Sequence, residues 1–332
     1  MAEKSKIAWT DATLNFWSGC TKVSPGCTNC YAEGLSNRRM TTKAGAGIIG
    51  EWGPSGIRRK SKSAVNDALR LNAKPWVCED CGGSQSQDPS LTNGLCWQTV
   101  CDGKLHRRRI FSLSLGDWLE GPPVKVVDGV PYGGIPVEWR AEMLDTIRRC
   151  DQVEWILCTK RPELWAQRLK AAYDWLAGTE LNVWISDWLD EAYPKNITVL
   201  TSVEDQATAD ARIPALPRIP AARRGLSLEP LIGPVDLSRY LRRREVPICT
   251  GPRNNVVTGF TAPELDWLII GGESGPKARP CNVEWIRSLV RQGQAAGVPV
   301  FVKQIHGNDG KLIKEVDCFP KDLQIKQFPF NE

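Results

Sequence analysis

From residue 109 onward the chain alternates in blocks. A short apolar run is followed by polar or charged punctuation, then by a stretch with apolar residues three and four apart. The runs predict strands over Ile110–Leu115, Val153–Cys158, Ile197–Val203, Gly225–Leu228, Leu265–Ile270 and Val298–Val302. Helical spacing falls over Val137–Arg149, Glu163–Leu176, Asp205–Ala215 and Val283–Ala296, and an earlier strand is expected near Leu14–Trp17. Strands alternating with helices imply an α/β fold with a parallel sheet. Seven such units favour a full or partial parallel (β/α) barrel over an open doubly wound sheet. Three segments are expected: 1–73, the N-terminal part of the barrel; 74–109, an insert that breaks the rhythm; and 110–332, the remainder.

Polar residues recur just after the expected strands: Asp117, Thr159-Lys160-Arg161, Glu204-Asp205, Glu229, Gly271-Gly272-Glu273-Ser274 and Lys303-Gln304. In a parallel barrel the C-terminal strand ends open onto one face, which carries the active site. Asp117, Lys160, Glu204, Glu229 and Lys303 are the candidate catalytic residues. Glu204 and Glu229 suit ribose hydroxyls or substrate orientation. Lys160, Arg161 and Lys303 suit a phosphate or carboxylate, and Asp117 a proton or a base.

Cysteine placement sharpens the picture. Residues 19–33 hold Cys20, Cys27 and Cys30 and no histidine. Three thiolates are one too few for a closed tetrahedral metal site. They are the right number for three irons of a four-iron cluster whose fourth iron stays open to a ligand. A second group, Cys78-x2-Cys81 and Cys96-x4-Cys101, has the spacing of a four-cysteine zinc ribbon or knuckle, with His106 as a substitute ligand. So small a unit would owe its stability to the metal. The scattered Cys150, Cys158, Cys249, Cys281 and Cys318 read as small buried apolar residues.

Composition adds bounds. Of 332 residues, 42% are hydrophobic and 24% charged, as in an ordinary globular protein. No apolar run reaches membrane-spanning length and the N-terminus lacks a signal-peptide core, so a cytoplasmic location is expected, with no membrane partner. The net charge of +5 is mild, but the runs Arg58-Arg59-Lys60, His106–Arg109 and Arg242–Arg244 would serve as phosphate contacts or as solvated surface. Most of the 14 tryptophans should pack in the core, leaving a few to stack on bases.

Trp9-Thr-Asp-Ala-Thr13, Gly19–Glu33, Thr159-Lys-Arg-Pro-Glu163, Ser202-Val-Glu-Asp-Gln206, Ser227-Leu-Glu-Pro-Leu231 and Gly271–Pro276 together resemble the phage-type three-cysteine-motif proteins. That family is similar to radical S-adenosylmethionine enzymes that act on DNA bases, such as spore photoproduct lyase. The resemblance implies Cys20, Cys27 and Cys30 as ligands of a 4Fe–4S cluster and Gly271, Gly272, Glu273 and Ser274 as contacts to S-adenosylmethionine. It also suggests a three-Cys-motif partner protein. The spacing departs from the usual pattern: six residues separate the first two cysteines here, Asn29 precedes the last, and the Gly-Gly-Glu stretch follows a late strand.

The leading expectation is therefore a radical S-adenosylmethionine enzyme, served by an electron donor, that modifies or repairs a nucleic-acid base. Two alternatives stand beside it. One is a zinc-binding, nucleic-acid-binding protein without catalysis. The other is a metal-dependent hydrolase or nuclease, which a total of two histidines disfavours.

Overall fold

The computed structural model describes residues 5–41, 50–98, 101–241, 245–250, 255–260 and 264–330. Its principal strands are β1 (Ala12–Leu14), β2 (Arg109–Ser112), β3 (Glu154–Thr159), β4 (Ile197–Ser202), β5 (Arg223–Leu228), β6 (Trp267–Gly271), β7 (Val300–His306) and β8 (Leu312–Ile313). They make one mostly parallel sheet in the sequential order β1 through β8. β1–β2, β2–β3, β5–β6 and β6–β7 are parallel, and β7–β8 is an antiparallel hairpin. Among the described residues no pairing joins β1 to β8. The helices are α1 (Tyr31–Thr41), α2 (Ala64–Asn72), α3 (Val137–Arg149), α4 (Trp165–Trp175), α5 (Glu180–Leu189), α6 (Gln206–Arg212) and α7 (Val283–Ala296).

The chain divides into two compact units, 1–200 with 219–222, and 201–218 with 223–332. The insert at 74–109 lies within the first unit. There, Trp155, Ile156 and Leu157 on β3 are fully buried, as expected of a strand covered on both faces. α3 buries Ala141, Met143, Leu144 and Ile147. Trp188 on α5 stacks on Trp118 at 6.3 Å and meets Trp165 edge-on at 6.0 Å, so much of the tryptophan content is core. Trp97 and Trp175 are exposed. Within the insert, Trp76–Cys78 pairs with Ser84–Gln85 and Leu105–Arg107 in a three-stranded antiparallel sheet.

In the second unit Trp267 of β6 packs against Phe301, Phe328 and Phe330, and its indole N–H donates to the Gln327 carbonyl. Residues 325–327 hydrogen-bond β7 and cover that edge. α6 starts at a capping box in which the Asp205 carboxylate accepts from the Thr208 N–H. α7 is capped by Asn282 and stopped by Gly297 at φ +71°.

Candidate functional site

The four-cysteine group is assembled. Cys78, Cys81, Cys96 and Cys101 place their sulfurs within 4.8 Å of one another. Cys78 Sγ lies 3.5 Å from Cys101 Sγ, and Cys81 Sγ lies 3.8 Å from Cys96 Sγ. Four sulfurs bound at about 2.3 Å to one tetrahedral ion stand roughly 3.8 Å apart, so the group fits a single metal ion. Backbone geometry prepares it. The Gly82 N–H donates to the Cys78 carbonyl, and the Gly83 N–H donates to Cys81 Sγ at 3.3 Å. A side chain at Gly103 would begin 2.5 Å from Cys78 Sγ. Against the burial that raises it, the N–H groups of Cys81 and Asp80 hold the Cys78 thiol down at about 7. Cys101 is pushed up to about 12: the Gly103 N–H favours its thiolate, but the Cys78 sulfur alongside outweighs it.

His106 is not a fifth candidate ligand. Its Nε2 lies 3.0 Å from Asp11 Oδ2, and Asp11 also takes the Arg109 guanidinium at 2.9 Å. Two neighbouring arginines also have partners within the chain. Arg108 is buried and donates to the Lys74 carbonyl, and Arg107 lies over Trp76. At the first basic run, Arg58 is buried, Arg59 pairs with Glu51 and Lys60 with Glu142. Within these two runs Arg58 and Arg108 are buried, while Arg59 and Lys60 keep half-exposed side chains in their ion pairs. Arg242–Arg244 lie outside the described residues.

The three-cysteine loop follows β1 by way of a short strand, Trp17–Ser18. Gly19 is required there. It sits at φ +103°, and a side chain would begin 2.6 Å from the Glu51 carbonyl. Cys20, Cys27 and Cys30 are all free thiols, Cys27 buried and the other two half-buried. Cys27 Sγ contacts Ser24 Oγ at 3.6 Å. Cys30 directly precedes α1. Burial raises its thiol, while the N–H groups of Glu33 and Ala32 and the charge of Lys160 oppose the rise.

Around Cys20 the first unit gathers buried charge. Arg161 places Nη1 and Nη2 each 3.8 Å from Cys20 Sγ, and donates to Asp117 Oδ2 at 2.8 Å and to the Thr21 carbonyl at 2.7 Å. Asp117 also accepts from Thr159 Oγ1 and from the N–H groups of Leu119 and Lys160. Glu120, buried, takes the Thr21 N–H at 3.2 Å and lies 3.5 Å from both Arg58 and Arg161. Arg140 donates to the carbonyls of Trp118 and Glu120, and Arg168 to that of Leu119. Burial, then the nearby Arg168 charge, push Arg140 down to about 10. Burial drives the Cys20 thiol well above its ordinary value, Glu120 adds to the rise, and Arg161 opposes it. A cavity of about 430 Å³ adjoins the loop, lined in part by Asn15, Trp17, Ser18, Tyr31 and Ser114. Sequence reading missed Glu120, Arg58 and Arg140. Only Arg58, in a basic run, carries a signal in the sequence, one that suits a phosphate contact or solvated surface, not a buried cation.

The second unit holds the remaining candidates, each carboxylate beside a base. Glu204 is fully buried against Arg212 at 2.9 Å. Glu273 is held by the Arg279 side chain and backbone N–H. Lys303, inside β7 rather than after it, stands 2.8 Å from Glu229 Oε1, in a direction that makes an ion pair and not a hydrogen bond. Gly271 and Gly272 do permit close approach, but to side chains. A Cβ at Gly271 would lie 2.6 Å from Glu229 Oε1, and one at Gly272 would clash with His306 Nδ1. Ser274 follows in the loop after β6.

Fold and site together define an α/β protein with a mostly parallel sheet and, in an inserted antiparallel sheet, four thiols at the spacing of a single metal ion's ligands. The chain belongs to the family described as Protein of unknown function (DUF5131), which matches residues 4–317. A search of curated proteins and a search of solved structures each found no match.

Proposed function

We propose that the chain is an iron–sulfur enzyme of the radical S-adenosylmethionine type that acts on a nucleic-acid base, built on a partial parallel barrel. One observation carries this reading: three thiols of a single loop, one of which, Cys20, lies beside a buried set of three guanidiniums and two carboxylates. Buried charge is costly unless compensated. Three thiolates on an iron–sulfur cubane carry net negative charge, which suits a site where cations outnumber anions. Cys20, Cys27 and Cys30 would hold the cluster, and the fit rests on this donor set. Such a cluster supplies one electron to a sulfonium bond and so starts radical chemistry.

The protein's own residues have the following work. Arg161 and Glu120 fix the loop through Thr21. Asp117, with both oxygens occupied, orients Arg161. Lys160 lends positive charge near Cys30. Glu204, Glu229, Lys303 and the 271–274 stretch are proposed as contacts to S-adenosylmethionine or substrate. Zinc is proposed for the four-thiol site, since soft thiolates at tetrahedral spacing favour it. The sequential strand order supports the barrel, because winding in one direction is how (β/α) barrels are built. A nucleic acid, an electron donor and a three-Cys-motif partner protein are the proposed partners.

Anaerobic purification tests the reading. A brown protein with iron and sulfide, which releases 5′-deoxyadenosine on reduction with S-adenosylmethionine, is the expected result. A colourless protein with zinc alone and undiminished DNA binding would replace it with the non-catalytic alternative.

A further inference from the structure

Arg161 is fixed on three sides. Nη1 donates to Asp117 Oδ2, Nη2 donates to the Thr21 carbonyl, and both nitrogens face Cys20 Sγ at 3.8 Å. Asp117 cannot swing away without leaving the Thr159 hydroxyl and two backbone N–H groups. The guanidinium is 7% exposed, so its charge is little screened. Two N–H groups aimed at one sulfur gain little from a neutral thiol, a weak acceptor, and much more from a sulfur bearing negative charge. Glu120, 2% exposed, lies 3.5 Å from the same guanidinium and opposes it.

We propose, resting on the iron–sulfur reading above, that Arg161 is a positioning residue that raises the reduction potential of a cluster ligated by Cys20, with Glu120 as the opposing charge. N–H groups donated to a ligand sulfur, and a buried cation near it, stabilise the added electron; a buried carboxylate does the reverse. The event is a one-electron reduction in which dithionite is oxidised and no bond is made or broken at the protein.

The test compares full-length wild type, Arg161→Gln, Arg161→Lys and Glu120→Gln after anaerobic reconstitution with iron and sulfide. Iron and sulfide content are measured, then the midpoint potential by a dithionite titration followed by electron paramagnetic resonance. Arg161→Gln is expected to move the midpoint to a more negative value, Arg161→Lys to restore part of the shift, and Glu120→Gln to move it the other way. Opposite signs are not what general loosening of the loop would give. Should Arg161→Gln fail to fold, the sign of the Glu120→Gln shift decides. Normal cluster content with unmoved potentials, or shifts of one sign in both charge variants, overturns the inference alone. A wild-type chain that takes up no iron on the three cysteines overturns the reading beneath it as well.

Discussion

At Gly272 the backbone passes so close to His306 that a single methyl group would overlap Nδ1, a ring atom already accepting the Cys281 N–H. Gly272→Ala should therefore cost about 1–3 kcal/mol, the usual penalty of overpacking. A lowered midpoint in urea unfolding is the expected readout. Burial holds His306 below the ordinary histidine range, so the unfolded chain binds its proton more readily. The folded state then loses stability as pH falls below about 6.5. Asp11 works at lower pH. Burial pushes its carboxyl up, but His106 and Arg109 win and hold it well below the usual carboxylate range. Its stabilisation is complete above about pH 4 and is lost as pH falls toward the folded value. Asp11→Asn should cost roughly 2–4 kcal/mol at pH 7, since it leaves the half-buried Arg109 charge uncompensated. It should also flatten the stability profile below pH 4, as followed by thermal melts across pH.

Among the elements, the insert depends most on something outside its own chain. Its strands run three residues or fewer, and its sulfurs sit at single-ion spacing. Removing the ion with a strong chelator should melt residues 76–107 ahead of the sheet, visible as loss of amide protection confined to that stretch. Cys78→Ser should abolish stoichiometric metal binding. Affinity should rise with pH, because Cys101, at about 12, must lose its proton to ligate. β2 through β7 and α3, α4, α6 and α7 were legible from apolar spacing alone. α5 was not, since Trp184 and Trp188 obscure its period and its identity as a helix depends on packing against Trp118 and Trp165. The hairpins at Lys125–Tyr132 and β7–β8 were missed because strands of two or three residues are too short to show a period.

For the whole molecule, no helix among the described residues is long and apolar enough to cross a membrane. The net charge of +5 is mild, and in the two described basic runs Arg59, Lys60 and Arg109 each pair with a carboxylate. Arg108→Ala and Arg109→Ala are expected to lower the melting temperature without lowering DNA affinity; lost affinity in a variant of unchanged stability would reinstate the His106–Arg109 run as a contact.

Chain order and local spacing alone determined the alternation of strand and helix and the clustering of two cysteine groups. These are short-range properties, carried by periods of two and 3.6 residues and by loops of a few residues. Only the tertiary structure decided which cysteines converge, and that Arg58, Arg140 and Glu120 are buried beside Cys20. It alone decided that His106 belongs to Asp11, 95 positions away. Whether a charge meets solvent or a buried partner depends on residues brought together from distant parts of the chain, and no local pattern encodes that.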